Sequence, residues 1–158
     1  MKNLIAGLVG VVALSAQAAD SATVAYPDDY RGWHHVKSME LKPGHALYDS
    51  FGGLHHIYAN PKALKGYQTG KFRDGAVIVF DLLEARHEGN ALTEGKRKVL
   101  GVMVRDGKKF AATGGWGFEE FAGGDPKKPV VGGNAATACF ACHAPQKDNN
   151  YLFSSLRN

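Results

Sequence analysis

The sequence predicts an α+β domain dominated by an antiparallel β-sheet, with a few short helices packed against it. Three observations carry that prediction. Residues 75–84 and 97–105 are rich in β-branched and aromatic side chains, the composition of half-buried strands. Gly, Asn, Asp and Pro punctuate the apolar segments at short intervals. No long stretch keeps the 3.6-residue apolar period that a four-helix bundle needs, so that architecture is excluded.

The elements follow in order along the chain. Residues 4–14 form an apolar run behind the positive Lys2, and Ala16-Gln17-Ala18 supplies the small-x-small pattern that a signal peptidase accepts. Residues 1–19 are therefore expected to be a signal peptide, cut after Ala18 or Ala19. The run is short for a bilayer span, and no later stretch is apolar enough to cross a membrane. Residues 20–158 are then expected to form one exported, periplasmic domain. The formal charge of +4 is mild and no long basic block occurs, which weighs against nucleic acid and leaves room for an acidic redox partner protein.

Residues 47–59 show short apolar alternations, with Gly52-Gly53 marking a bulge or bend. Asn60-Pro61 predicts an N-cap and first helical residue, for a helix running through Lys65 or Tyr67 and ending by Gly70. Residues 75–84 and 97–105 are strands. Asp106-Gly107 is a hairpin signal, so residues 108–113 are expected to return antiparallel. Residues 114–130 are rich in Gly and Pro around Trp116, Phe118 and Phe121, and predict a last strand followed by a loop. Residues 134–143 predict a short helix. No internal repeat is present.

That last helix carries the chemistry. Cys139 and Cys142 are the only two cysteines. A disulfide between them would close a tiny loop and add little stability. A zinc site would need a second ligand pair, and a thioredoxin-like pair would open a βαβ unit, which is missing here. Cys139-Phe140-Ala141-Cys142-His143 instead fits the C-x-x-C-H pattern of covalent haem attachment. Two intervening residues let one helical turn present both sulfurs to the two vinyl groups of a haem. The next residue, His143, then lies under the iron and binds it through a ring nitrogen. The expected cofactor is one haem c per chain.

No Met follows the motif. Met39 and Met103 read as packing residues, Met103 within an apparent buried strand. His34-His35 and His55-His56 are adjacent pairs, and in a strand only one of each pair can face a given side. The expected haem is therefore five-coordinate with one open face, which suits a small ligand better than simple electron transfer.

Three segments resemble the cytochrome P460 family. His56-Ile57-Tyr58-Ala59-Asn60-Pro61 is similar to its strand leading into a helix. Residues 69–79, Thr-Gly-Lys-Phe-Arg-Asp-Gly-Ala-Val-Ile-Val, resemble its T-G-x-F-R-D-G-x-x-x-V segment, and residues 136–143 resemble its haem segment. The resemblance runs from about Tyr26 onward. It implies a P460-like fold. It also places Phe80 where the P460 enzymes carry a lysine that cross-links to the haem and goes with hydroxylamine oxidation. No lysine lies between Lys71 and Lys96, so no shift of register restores it.

The chain is thus similar to the cytochrome c′-β branch, which lacks the cross-link, binds nitric oxide and carbon monoxide, and forms homodimers. The same resemblance implies Phe80 and Phe51 on the distal haem face. An aromatic cap offers no hydrogen bond to dioxygen, whereas nitric oxide binds ferrous iron without one. The reading implied is a gas-binding protein rather than an enzyme. A P460-like enzyme acting on hydroxylamine or nitrogen oxides, and an electron-transfer cytochrome, are the alternatives. Arg73 is a candidate for a haem propionate, and equally a structural partner of Asp74.

Overall fold

The computed structural model describes residues 23–157, so the expected signal segment 1–19 lies outside the described residues. Five strands form one antiparallel sheet in sequence order: β1 His34–Leu41, β2 Gly53–Ala59, β3 Val77–Glu88, β4 Ala91–Arg105 and β5 Trp116–Ala122. Short helices interrupt them: α1 Tyr48–Phe51, α2 Pro61–Thr69 and α3 Ala141–His143. The α+β class is as the composition predicts, and the molecule is no helical bundle. Among the described residues no helix is long and apolar enough to cross a membrane.

Local chemistry explains the boundaries. Asn60 caps α2 by accepting from the Ala63 amide at 2.8 Å, Pro61 is the first helical residue, and Gly70 ends the helix in the left-handed region. The Asn60 side-chain oxygen also takes the Val77 amide (3.1 Å), tying the start of α2 to the start of β3. β3 and β4 join through Gly89-Asn90, both at positive φ (58° and 61°), which is the twist a tight two-residue hairpin requires.

Two expectations need correction. Residues 108–113 do not return as a strand. The Asp106 carboxylate instead accepts from the Lys108 and Lys109 amides (3.1 and 2.8 Å), and the Phe110 amide bonds the Asp106 carbonyl. Asp106 thus nucleates a helical turn, and the returning strand, β5, starts only at Trp116. The alternation across residues 47–59 likewise splits. Tyr48–Phe51 is a helical turn, and Gly52-Gly53 is the corner into β2. Gly53 sits at φ +127°, and a Cβ there would lie 2.2 Å from the Leu83 carbonyl oxygen, so the corner can hold only glycine.

Each face of the sheet has its own core. On one face Val36, Ala59, Ile78, Trp116 and Phe118 pack beneath Ala63 of α2 and Leu152 of the C-terminal segment. On the other, Val79, Leu100, Val102 and Phe121 pack against Val24 and Tyr30 of the N-terminal segment. Asp81, fully buried, anchors that second face. It accepts from the Tyr30 hydroxyl (2.8 Å), from Arg97 Nε (2.6 Å) and from Arg31 (3.3 Å).

Candidate functional site

The C-x-x-C-H segment lies on the first of these faces. A π-helical turn, Ala136–Phe140, runs into α3 and places both thiols on consecutive turns. Cys139 is half-buried against the core beside Phe140, and Cys142 is exposed. Burial pushes the Cys139 thiol up to about 12, helped by the negative charges of Glu120 and Glu119. A group held protonated in this way is a poor thiolate nucleophile. A thioether, by contrast, is neutral, so the same burial does not oppose it.

His143 is oriented by three neighbours. Its Nδ1 donates to the Tyr151 carbonyl at 2.7 Å, which leaves Nε2 as the nitrogen available to a metal. Its ring packs 5.0 Å from Phe118 of β5 and 5.0 Å from Phe153, edge-on to the latter. Burial lowers its pKa, with the Tyr151 bond opposing that shift, and the neutral ring is the form that ligates. Asn150 and Tyr151 both have positive φ (54° and 65°), so the carbonyl that orients His143 sits in a tight, constrained turn.

Register places the other predicted residues. Residues paired across antiparallel strands share a face. Ala59, Ile78, Met103 and Phe118 form one row, and Ile57, Phe80, Gly101 and Glu120 form the next. Phe80 therefore lies on the same face as Phe118, the residue beneath His143. Phe51, at the end of α1, meets Phe80 edge-to-face at 5.9 Å, and His55 meets it at 4.7 Å. Phe80 and Phe51 are thus brought together on the His143 side of the sheet.

The other candidates separate. His55 and His56 point to opposite faces, as strand alternation requires: His55 is buried beside Phe80, and His56 bonds Ser38. His56 Nε2 lies 2.9 Å from a Glu94 carboxylate oxygen, but off the line of a hydrogen bond. Met39 is 50% exposed and Met103 packs into the first core. Arg73 is exposed.

Two residues escaped the sequence reading. Glu119 is buried and collects four backbone amides, those of Glu120, Val130, Val131 and Gly132. It thereby fixes the loop that leads into residues 136–143. Glu120, next to it, points to the opposite face and joins the Phe80 row. Its carboxyl is held above the usual carboxylate range by burial and by the Glu119 charge. The signal available in the sequence was the pair of carboxylates inside the aromatic strand Trp-Gly-Phe-Glu-Glu-Phe. A charge there must be paired or shielded.

Among curated proteins no match to this chain is found. The family model for Cytochrome P460 matches residues 27–154, which takes in all five strands, α1 to α3 and the C-x-x-C-H segment. The chain belongs to the cytochrome P460 family.

Proposed function

We propose that this protein is an exported c-type cytochrome that captures nitric oxide or carbon monoxide at a haem held by Cys139, Cys142 and His143. Membership of the family implies a haem cofactor. When bound, haem supplies a redox-active iron with a coordination position open to a small ligand. The donor set fits it: two thiols three residues apart on one helical segment, followed by an imidazole whose Nδ1 is already committed to Tyr151. That commitment fixes the tautomer and leaves Nε2 as the nitrogen that would hold the iron.

The observation that carries the reading is Phe80, standing where the resemblance to P460 enzymes places a cross-linking lysine. Its side chain can form no link to nitrogen or oxygen and can move no proton. With Phe51 and His55 it makes an aromatic corner on the His143 side of the sheet. The two phenyl rings of this corner offer an incoming gas apolar contact and no hydrogen bond. A haem held by His143 alone would keep one coordination position open. Export to the periplasm and assembly into homodimers belong to the same proposal.

The test is a visible spectrum of the ferrous protein with and without carbon monoxide and nitric oxide, joined to an intact mass. A Soret shift with each gas is expected, with haem attached through Cys139 and Cys142 alone. A low-spin spectrum in both oxidation states that ignores carbon monoxide would overturn the reading in favour of electron transfer.

One observation favours a second reading, an enzyme oxidising hydroxylamine. Glu120 is a shielded carboxyl with a raised pKa in the same row as Phe80, a suitable place for a proton acceptor. Hydroxylamine turnover well above that of free haem, and lost in Glu120→Gln, would select it.

A further inference from the structure

The corner that carries Phe51 is held from two sides by residues with no other evident task. The peptide carbonyls of Phe51 and Gly52 both point out of the end of α1, where helical carbonyls lack partners of their own. His55 Nε2 donates to the Phe51 carbonyl at 2.5 Å, and Lys98 Nζ donates to the Gly52 carbonyl at 2.7 Å. Each donor comes from a different strand. His55 is 3% exposed on β2, and its ring faces that of Phe80. Burial lowers its pKa, with the Phe51 bond opposing, so the ring is neutral and its one N–H is spent on that carbonyl.

Lys98 arrives through a break in the β3–β4 ladder. Leu82 pairs with Val99 and Leu83 with Arg97, which leaves Lys98 as the unpaired residue of a bulge. A bulge re-aims the side chain it carries. Here it sends an ammonium to the α1–β2 corner, beside a hollow of about 690 Å³ that Gly52, Glu40, Glu84 and His87 also line. The corner itself has little else to hold Phe51. α1 is only four residues long, with no side-chain cap, and Phe51 touches the sheet through Phe80.

We infer that His55 and Lys98 are positioning residues that latch Phe51 against Phe80, and that the latch sets how readily a small ligand reaches the haem. The inference rests on the proposed function, in which Phe80 and Phe51 face the ligand. Neither latch residue touches the ligand. Each acts through a backbone carbonyl, so breaking the bond frees the 47–53 segment and lets the Phe51 ring swing away.

The experiment uses the ferrous holoprotein with carbon monoxide as the probe, in wild type, His55→Leu, His55→Gln and Lys98→Met. Two quantities are read: association rate after flash photolysis, and amide hydrogen exchange of residues 47–53. His55→Leu is expected to raise both on the order of tenfold, the scale of one lost buried hydrogen bond. His55→Gln keeps an N–H near the Nε2 position and is expected to restore both. Lys98→Met, at a more exposed bond, shifts both the same way by a smaller factor.

The latch is refuted if His55→Leu leaves exchange at 47–53 unchanged. Gating is refuted if exchange rises while the association rate stays at the wild-type value. If no variant and not the wild type binds carbon monoxide, the proposed function fails instead, and gating with it.

Discussion

Replacing Glu119 by Gln tests whether one buried carboxylate organises the approach to the C-x-x-C-H segment. Its Oε1 accepts from the amides of Glu120 (2.9 Å), Val130 (3.2 Å) and Val131 (2.8 Å), and its Oε2 accepts from Gly132 (3.0 Å). A glutamine offers one oxygen and one NH₂. If the oxygen takes the Oε1 place, three bonds survive without their charge and the Gly132 amide faces another donor. Hydrogen bonds to charged groups contribute about 1.5–3 kcal/mol, neutral ones about 1, and a stranded buried donor costs about 1–3. These losses share one side chain and do not add, so about 3–4 kcal/mol is the expected total. For a chain of this size that corresponds to a fall in Tm on the order of 10 °C.

The assay is thermal unfolding of the holoprotein, followed in the far-ultraviolet. Glu120→Gln is the control, one residue away on the opposite face, where no such set of amides converges among the described residues. A second readout is specific. Removing the Glu119 charge removes one of the two causes that raise the Glu120 pKa, so Glu120 should titrate closer to the ordinary carboxylate range in the variant. A fall in Tm under about 3 °C, or an equal fall in the control, would refute the reasoning.

Two further outcomes follow from the buried polar groups. Asp81→Ala strands Tyr30 and the Arg97 guanidinium on the second face, and should destabilise the fold by about 3–5 kcal/mol in a denaturant titration. A midpoint within error of wild type would show that the network is idle. Burial holds both Tyr67 and Tyr30 at about 12, against an ordinary 10. Between those values the unfolded chain releases its phenolic protons first, so stability declines from about pH 10 to about pH 12 and then levels. Tyr67→Phe removes one of these contributions, and its urea midpoint should fall less between pH 9 and pH 11 than that of wild type. Equal falls in the two proteins would rule Tyr67 out.

What was legible in the sequence was set by short-range chemistry. Asn60-Pro61 and Gly70 mark α2 because a cap and a left-handed exit are local demands. The β-branched runs that become β3 and β4 announce themselves by composition. The C-x-x-C-H segment is visible because its spacing is its chemistry. β1 was missed, since His34-His35-Val36-Lys37-Ser38-Met39-Glu40-Leu41 buries only Val36 and Leu41 and so lacks a clean alternation. Asp106-Gly107 misled because the Asp106 carboxylate found amides two and three residues on before any strand could pair. Glu119, Glu120, His55 and Lys98 take their roles from strand register and a bulge. Both are set by partners on neighbouring strands, and beyond the paired carboxylates at 119 and 120 no local pattern marks them.

Register also changes what the residue at position 80 means. Across Ile57, Phe80, Gly101 and Glu120 the described residues place no cation. Gly101 has no side chain, and a Cβ built there would meet Phe80 Cδ1 at 3.4 Å, so the phenyl ring leans over the space the glycine leaves. Two strand spacings separate position 80 from Glu120, about 10 Å, which is within reach of a lysine ammonium and a glutamate together. A lysine at this position would bring a positive charge toward the Glu120 carboxyl and favour its ionised form. The phenyl ring removes that influence, and what remains is burial and the Glu119 charge, both of which favour the neutral acid. The substitution therefore acts twice on the same surface. On the resemblance to the P460 enzymes it takes away the group that would link to a haem, and it leaves burial and the Glu119 charge unopposed in favouring the neutral form of Glu120. Under the proposed function, that surface meets a ligand that binds and leaves unchanged.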